Sequence, residues 1–113
     1  MKIFSNLAVA NAERNKVWDA DGKLDLTFAG VELAGEVGEA LNVIKKLRRE
    51  ELGLRGSRDT VEHLAEELAD VIICTSLIAN KAGIDLSAAV IAKFNATSRK
   101  LGLPVEMGAP LIL

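Results

Sequence analysis

Apolar residues recur along this chain at three- and four-residue intervals with no sustained alternation, so the pattern predicts helices and no strands. Four stretches carry it. The first runs from about Ser5 to Trp18, with Ser5 as N-cap, and stops at the Asp21-Gly22 turn. The second starts near Asp25 to Thr27 and reaches about Leu52, where Gly53 ends it. The third opens at Asp59, which has capping-box spacing with Glu62, and continues to Ala82 before Gly83. The fourth follows Asp85 and ends at Leu101, ahead of Gly102 and Pro104. Short connections make neighbouring helices antiparallel, so the expected fold is all-α, an antiparallel four-helix bundle-like module. The chain reads as one domain over residues 1–113, with its core at about 25–101. The apolar tail, 102–113, is expected to dock on the body or on a neighbouring subunit.

The helix faces sharpen this picture. On the second helix Val37, Ala40, Ile44 and Leu47 form an apolar stripe. One position behind it run Glu32, Glu36, Glu39, Val43 and Lys46, rotated by about 100°. Acids therefore border the expected core face. Gly35 and Gly38 interleave with them, and two glycines inside a helix predict close approach by a backbone or a ligand. On the third helix His63, Glu67, Asp70, Cys74 and Leu77 share a stripe, with Glu66 beside it. The run after Asp70, "VIICTSLIAN", has no charge on any side and reads as buried, which places Asp70 where the helix enters the interior. Cys74 reads as core packing and His63 as a partly exposed helical histidine.

Composition adds a second expectation. Half of the 113 residues are hydrophobic, yet only three Phe and one Trp are aromatic. So short a chain has little interior to fill, which predicts apolar surface buried between subunits. A net charge of −2 gives no overall basic footprint for a nucleic-acid polymer. One cysteine, no secretion signal and no uncharged run longer than ten residues point to a cytoplasmic protein without a membrane span.

The acids raise the question of chemistry. Antiparallel second and third helices would bring Glu36 and Glu39 opposite Glu67 and Asp70. Four close carboxylates repel unless some take up protons or all share a cation. A hard divalent ion such as Mg²⁺ removes the conflict and keeps positions open for water and phosphate. One E-x-x-E is an ordinary solvated face. Two acidic pairs on consecutive helices, both bordering apolar faces, make a metal site a serious competitor. Calcium at "DADGKLD" does not fit, because the acidic positions and a distal bidentate glutamate are wrong. A di-iron site would want Glu-x-x-His pairs, and His63 follows no glutamate by three.

"ELAGEVGEAL" followed by "EELADVII" resembles the MazG-like nucleoside triphosphate pyrophosphohydrolases, whose signature is E-x-x-E, a spacer, then E-x-x-D. It reads here as Glu36 and Glu39, 27 intervening residues, then Glu67 and Asp70. "KFN", Lys93 to Asn95, falls where the family carries a lysine-containing segment. The resemblance covers roughly Val31 to Lys100. It implies an all-α homodimer or homotetramer that holds Mg²⁺, with Mn²⁺ as a substitute, on the four acids. It further implies cleavage of a nucleoside triphosphate, NTP or dNTP, to the monophosphate and pyrophosphate. By the same resemblance Glu36, Glu39, Glu67 and Asp70 are the catalytic and metal-binding residues. Lys46 and Lys93 would contact phosphate, with Asn95 a weaker contact beside Arg99, and Trp18 would stack on the base. Arg55 and Arg58 read as a solvated loop. Some relatives carry an aromatic residue around position 46, so their nucleotide selectivity does not transfer to a chain with lysine there. The competing expectation is a non-catalytic helical oligomerisation module.

Overall fold

The computed structural model describes residues 3–108, and these form helices with no strand among them. In chain order they are α1 (Ile3–Trp18), α2 (Leu26–Glu51), α3 (Val61–Lys81) and α4 (Leu86–Leu101). Asp25 caps α2 by accepting the backbone N–H of Phe28, and Asp85 caps α4 by accepting that of Ala88. Gly102 ends α4 in the left-handed region at φ 68°, where a side chain would be strained. Two caps differ from expectation. Ser5 lies inside α1, its hydroxyl 3.5 Å from that of Ser87. Thr60, not Asp59, caps α3 by accepting from the His63 N–H, which leaves the Asp59 carboxylate free for other partners.

The second and third helices form an antiparallel pair. Lys46 stands opposite Asp59 near the connecting loop, and the Cys74 thiol reaches the Ala29 carbonyl at 3.6 Å near the far end. The loop itself is tied down by Arg49, which donates to the Ser57 carbonyl at 2.9 Å. α1 runs antiparallel along α3, because Asn11 donates to the Ile73 carbonyl and Asn80 to the Ala8 carbonyl. Both amides lie mostly within the packing, where an unpaired polar group would be costly. α4 packs on α1, after a bend of 107° between α3 and α4.

The all-α, bundle-like expectation therefore holds, but α4 turns steeply away and the bundle stays open. The radius of gyration is 17.7 Å, against about 13 Å for a compact chain of this length. Few large side chains are buried: the core is Ala29, Ala40, Val43, Cys74 and Ala79. Among the described residues no single helix is long and apolar enough to cross a membrane.

The inward face of α2 also differs from the expected stripe. Ala29, Ala40 and Val43 are buried, and Leu33, Glu36 and Leu47 are half-buried with them. Glu36 therefore belongs to the line that faces α3. Val37 and Ile44, read as core from the spacing, are exposed beside Leu41, which is 58% exposed. Of the uncharged run in α3, Cys74, Ser76 and Ala79 are buried while Ile72 is exposed. In the tail, Asn95 receives the Met107 N–H at 2.7 Å and donates back to the Met107 carbonyl at 2.9 Å. Arg99 pairs with Glu106, so the described tail folds back along α4. Residues 109–113 lie outside the described part.

Candidate functional site

The antiparallel register of α2 and α3 decides the site. Glu36, Glu67 and Asp70 each offer an oxygen, and the three oxygens lie within 4.8 Å of one another. Glu39 stands outside that set of three but neighbours it, with Glu67 and Glu36 beside it. The contact with Glu67 and its charge come first among the causes that raise the Glu39 carboxyl above the usual range. Glu36 is raised too, first by burial and then by the charges of Glu39, Asp70 and Glu67. The Oε2 atoms of Glu36 and Glu67 are buried without any hydrogen-bond partner. Buried orphan oxygens among like charges are unfavourable unless a cation takes them. The oxygen-only donor set suits a hard divalent ion. Asp70 is exposed, at the mouth of the cluster and not within the interior as expected.

A cavity of about 320 Å³ opens beside the acids, a size typical of small-molecule sites. Its walls include Glu36 and Asp70, Glu32, and from α1 Arg14, Asn15 and Trp18. The Trp18 indole is 77% exposed, so its face is available to a ligand. Packing of α1 on α3 thus places an aromatic group, a cation and an amide next to the carboxylates. Arg14 and Asn15 were passed over in the sequence; their only signal is that they precede Trp18 by four and three residues, on or near its face.

The other expected contacts fall differently. Lys46 is half-buried, its Nζ 3.8 Å from Asp59 Oδ2. Asn95 spends its amide on Met107. Lys93 is exposed on α4, and neither it nor Lys46 lines the cavity. Gly35 and Gly38 were expected to admit a close neighbour, yet a Cβ on either would meet nothing within 4 Å in the isolated chain.

A further chain of contacts was not anticipated. Asp59, His63 and Glu67 follow one another at four-residue steps, so their side chains stack along one line of the helix. His63 Nδ1 is 2.8 Å from Asp59 Oδ1, and His63 Nε2 is 2.9 Å from Glu67 Oε1. Each ring nitrogen thus lies within hydrogen-bond distance of one carboxylate oxygen. Asp59 is held below the ordinary carboxylate range, chiefly by the Thr60 N–H and by His63. His63 is raised, first by its bond to Asp59. Cys74 lies buried in the packing as expected, its thiol raised by burial and then by Glu32 and Glu36.

The family model for the MazG nucleotide pyrophosphohydrolase domain matches residues 29–101, well over half of the chain. The chain belongs to the MazG family. The match begins at the buried Ala29 of α2 and ends with α4, so it takes in both acidic pairs. Neither the curated proteins nor the solved structures give a match. Membership of the MazG family points to a nucleotide pyrophosphohydrolase and to a nucleotide as substrate. It also accords with the acidic cluster, since a divalent metal is typical of MazG proteins.

Proposed function

We propose that this MazG-family chain is a Mg²⁺-dependent hydrolase that converts a nucleoside triphosphate to its monophosphate and pyrophosphate. The observation that carries the reading is the pair of orphaned oxygens, Glu36 Oε2 and Glu67 Oε2, beside Asp70 and Glu39. These four acids hold the cation, with Mn²⁺ as a substitute. When bound, such an ion neutralises phosphate charge and lowers the pKa of a water. The protein's own part is to fix the carboxylates and to bind and orient the nucleotide. A carboxylate of the set that the ion does not fully engage would accept the proton of the attacking water. Trp18 stacks on the base across the cavity, where Arg14 brings positive charge to the phosphates. Lys93 remains a proposed phosphate contact.

The working form is a homo-oligomer. Val37, Leu41 and Ile44 on α2 and Leu68 and Ile72 on α3 are exposed, and so small a core leaves them unshielded. A second copy would cover such a face. Gly35 and Gly38, open in the single chain, lie near Leu41 on the wall of a shallow depression. They give that copy room to approach.

The test is pyrophosphate release from a panel of canonical and modified NTPs and dNTPs with Mg²⁺, using Glu39→Gln and Asp70→Asn as controls. Activity on at least one nucleotide, lost in both variants, supports the reading. Inactivity across the panel in a folded protein, or activity indifferent to these substitutions, sinks it.

A further inference from the structure

We propose that His63 is a positioning residue for Glu67. The imidazole holds Oε1, so that Oε2 stays directed into the acidic cluster, and Asp59 holds the imidazole. This rests on the cation-binding reading of the cluster and adds residues outside its four acids. The two oxygens of Glu67 have different surroundings. Oε1 is engaged by His63 Nε2 at 2.9 Å, while Oε2 is buried and unpartnered. A glutamate has three rotatable bonds, and Glu36, Glu39 and Asp70 all repel it. Left alone it would swing toward solvent. A fixed donor on the outer oxygen opposes that swing before any cation arrives.

The support behind the ring is equally specific. Asp59 Oδ1 lies 2.8 Å from His63 Nδ1 and accepts the Thr60 N–H at 2.8 Å. Its second oxygen faces Lys46 at 3.8 Å. Asp59 sits where the loop enters α3, and the Thr60 cap frees it for this role. Lys46, Asp59, His63 and Glu67 thus form one line from α2, through the loop, to the cluster. Carboxylate ligands held by hydrogen bonds from behind are a regular device of metal sites.

Charge alone makes the opposite prediction, which renders the proposal testable. A protonated ring carries positive charge and repels a nearby cation. If charge were its whole effect, removing it would tighten cation binding. If it orients Glu67, removing it weakens binding. The experiment measures Mn²⁺ affinity of the full chain without nucleotide, from the electron paramagnetic resonance signal of free Mn²⁺ at fixed pH. The variants are His63→Leu, His63→Gln and Asp59→Asn, each checked for helicity and melting temperature.

His63→Leu is expected to bind Mn²⁺ about 10- to 100-fold more weakly than the native chain. His63→Gln should recover most of that loss, because its amide N–H can reach Glu67. Asp59→Asn should weaken binding less, and should add nothing in the His63→Leu background. Unchanged or tighter binding by folded His63→Leu overturns the positioning role while leaving the cation site standing. Should His63→Leu not fold, a His63→Gln affinity no better than that of Glu67→Gln overturns it instead. A native chain that binds no Mn²⁺ overturns the cation reading and this inference together.

Discussion

Glu36 on α2 and Glu67 on α3 each bury one carboxylate oxygen with no hydrogen-bond partner, and both belong to the cluster that includes Asp70. Two helices carrying such groups face to face gain nothing from the contact itself. The arrangement is destabilising in the cation-free protein and becomes favourable only when positive charge enters.

Glu36→Gln should therefore stabilise the cation-free protein, because it removes a charge that burial and four neighbouring carboxylates disfavour. A rise of a few degrees in melting temperature is expected, measured by circular dichroism. The same variant should lose most of the stabilisation that Mg²⁺ confers on the native chain. A cation-free Glu36→Gln protein melting below the native one would contradict this.

The pH dependence follows in sign. Glu36 and Glu39 are raised above 4.5, so the stability of the cation-free protein is full below that value and is lost as pH rises through their raised values. His63, raised above 6.5, acts in the same direction at higher pH. Asp59, lowered below 3.8, costs stability only as pH falls through its lowered value. Melting temperature without metal should fall as pH rises above 4.5 and again above 6.5. Saturating Mg²⁺ should flatten or reverse that fall, since the ion binds the ionised carboxylates. A cation-free protein whose stability climbs across the range would be inconsistent with the cluster.

Leu41→Glu should separate the proposed homo-oligomer into single chains, visible by light scattering during gel filtration. Leu41 is exposed on α2 between Val37 and Ile44. A charge there cannot be buried against a second copy without a large penalty. An unchanged mass would place the subunit contact elsewhere.

Trp18→Ala should raise KM about fivefold or more with a smaller effect on kcat, since stacking on a base contributes about 1–3 kcal/mol. Equal KM values would remove Trp18 from the nucleotide site. Asn95→Ala tests the opposite assignment. It breaks both bonds to Met107 and should cost about 1–2 kcal/mol of stability, with the KM of the folded enzyme unchanged.

Much of this was legible in the sequence. The four helices and most of their ends follow from periodicity and from Asp25, Gly53, Gly83, Asp85 and Gly102. Of the four expected acids, Glu36, Glu67 and Asp70 are brought together by the α2–α3 pairing, as two short acidic patterns on consecutive helices led one to expect. The face of α2 was misjudged because spacing marks apolar stripes without telling which neighbour covers each. Val37 and Ile44 fit a core pattern yet lie exposed in the single chain, while Glu36 takes an inward position. The roles of Asp59 and Asn95 depend on competition for hydrogen bonds. Thr60 takes the cap that Asp59 would fill, and the returning tail claims Asn95. The line from Asp59 to Glu67 was visible as four-residue steps, but only side-chain geometry shows that His63 is bonded on both nitrogens.

The most direct test of the central claim is ³¹P NMR of the reaction products, for the nucleotide turned over on the panel, with and without Mg²⁺. The account predicts nucleoside monophosphate and pyrophosphate in equal amounts, only with the cation, and no turnover by Glu39→Gln or Asp70→Asn. Release of orthophosphate and nucleoside diphosphate, or the same products from chelator-treated protein, would contradict it.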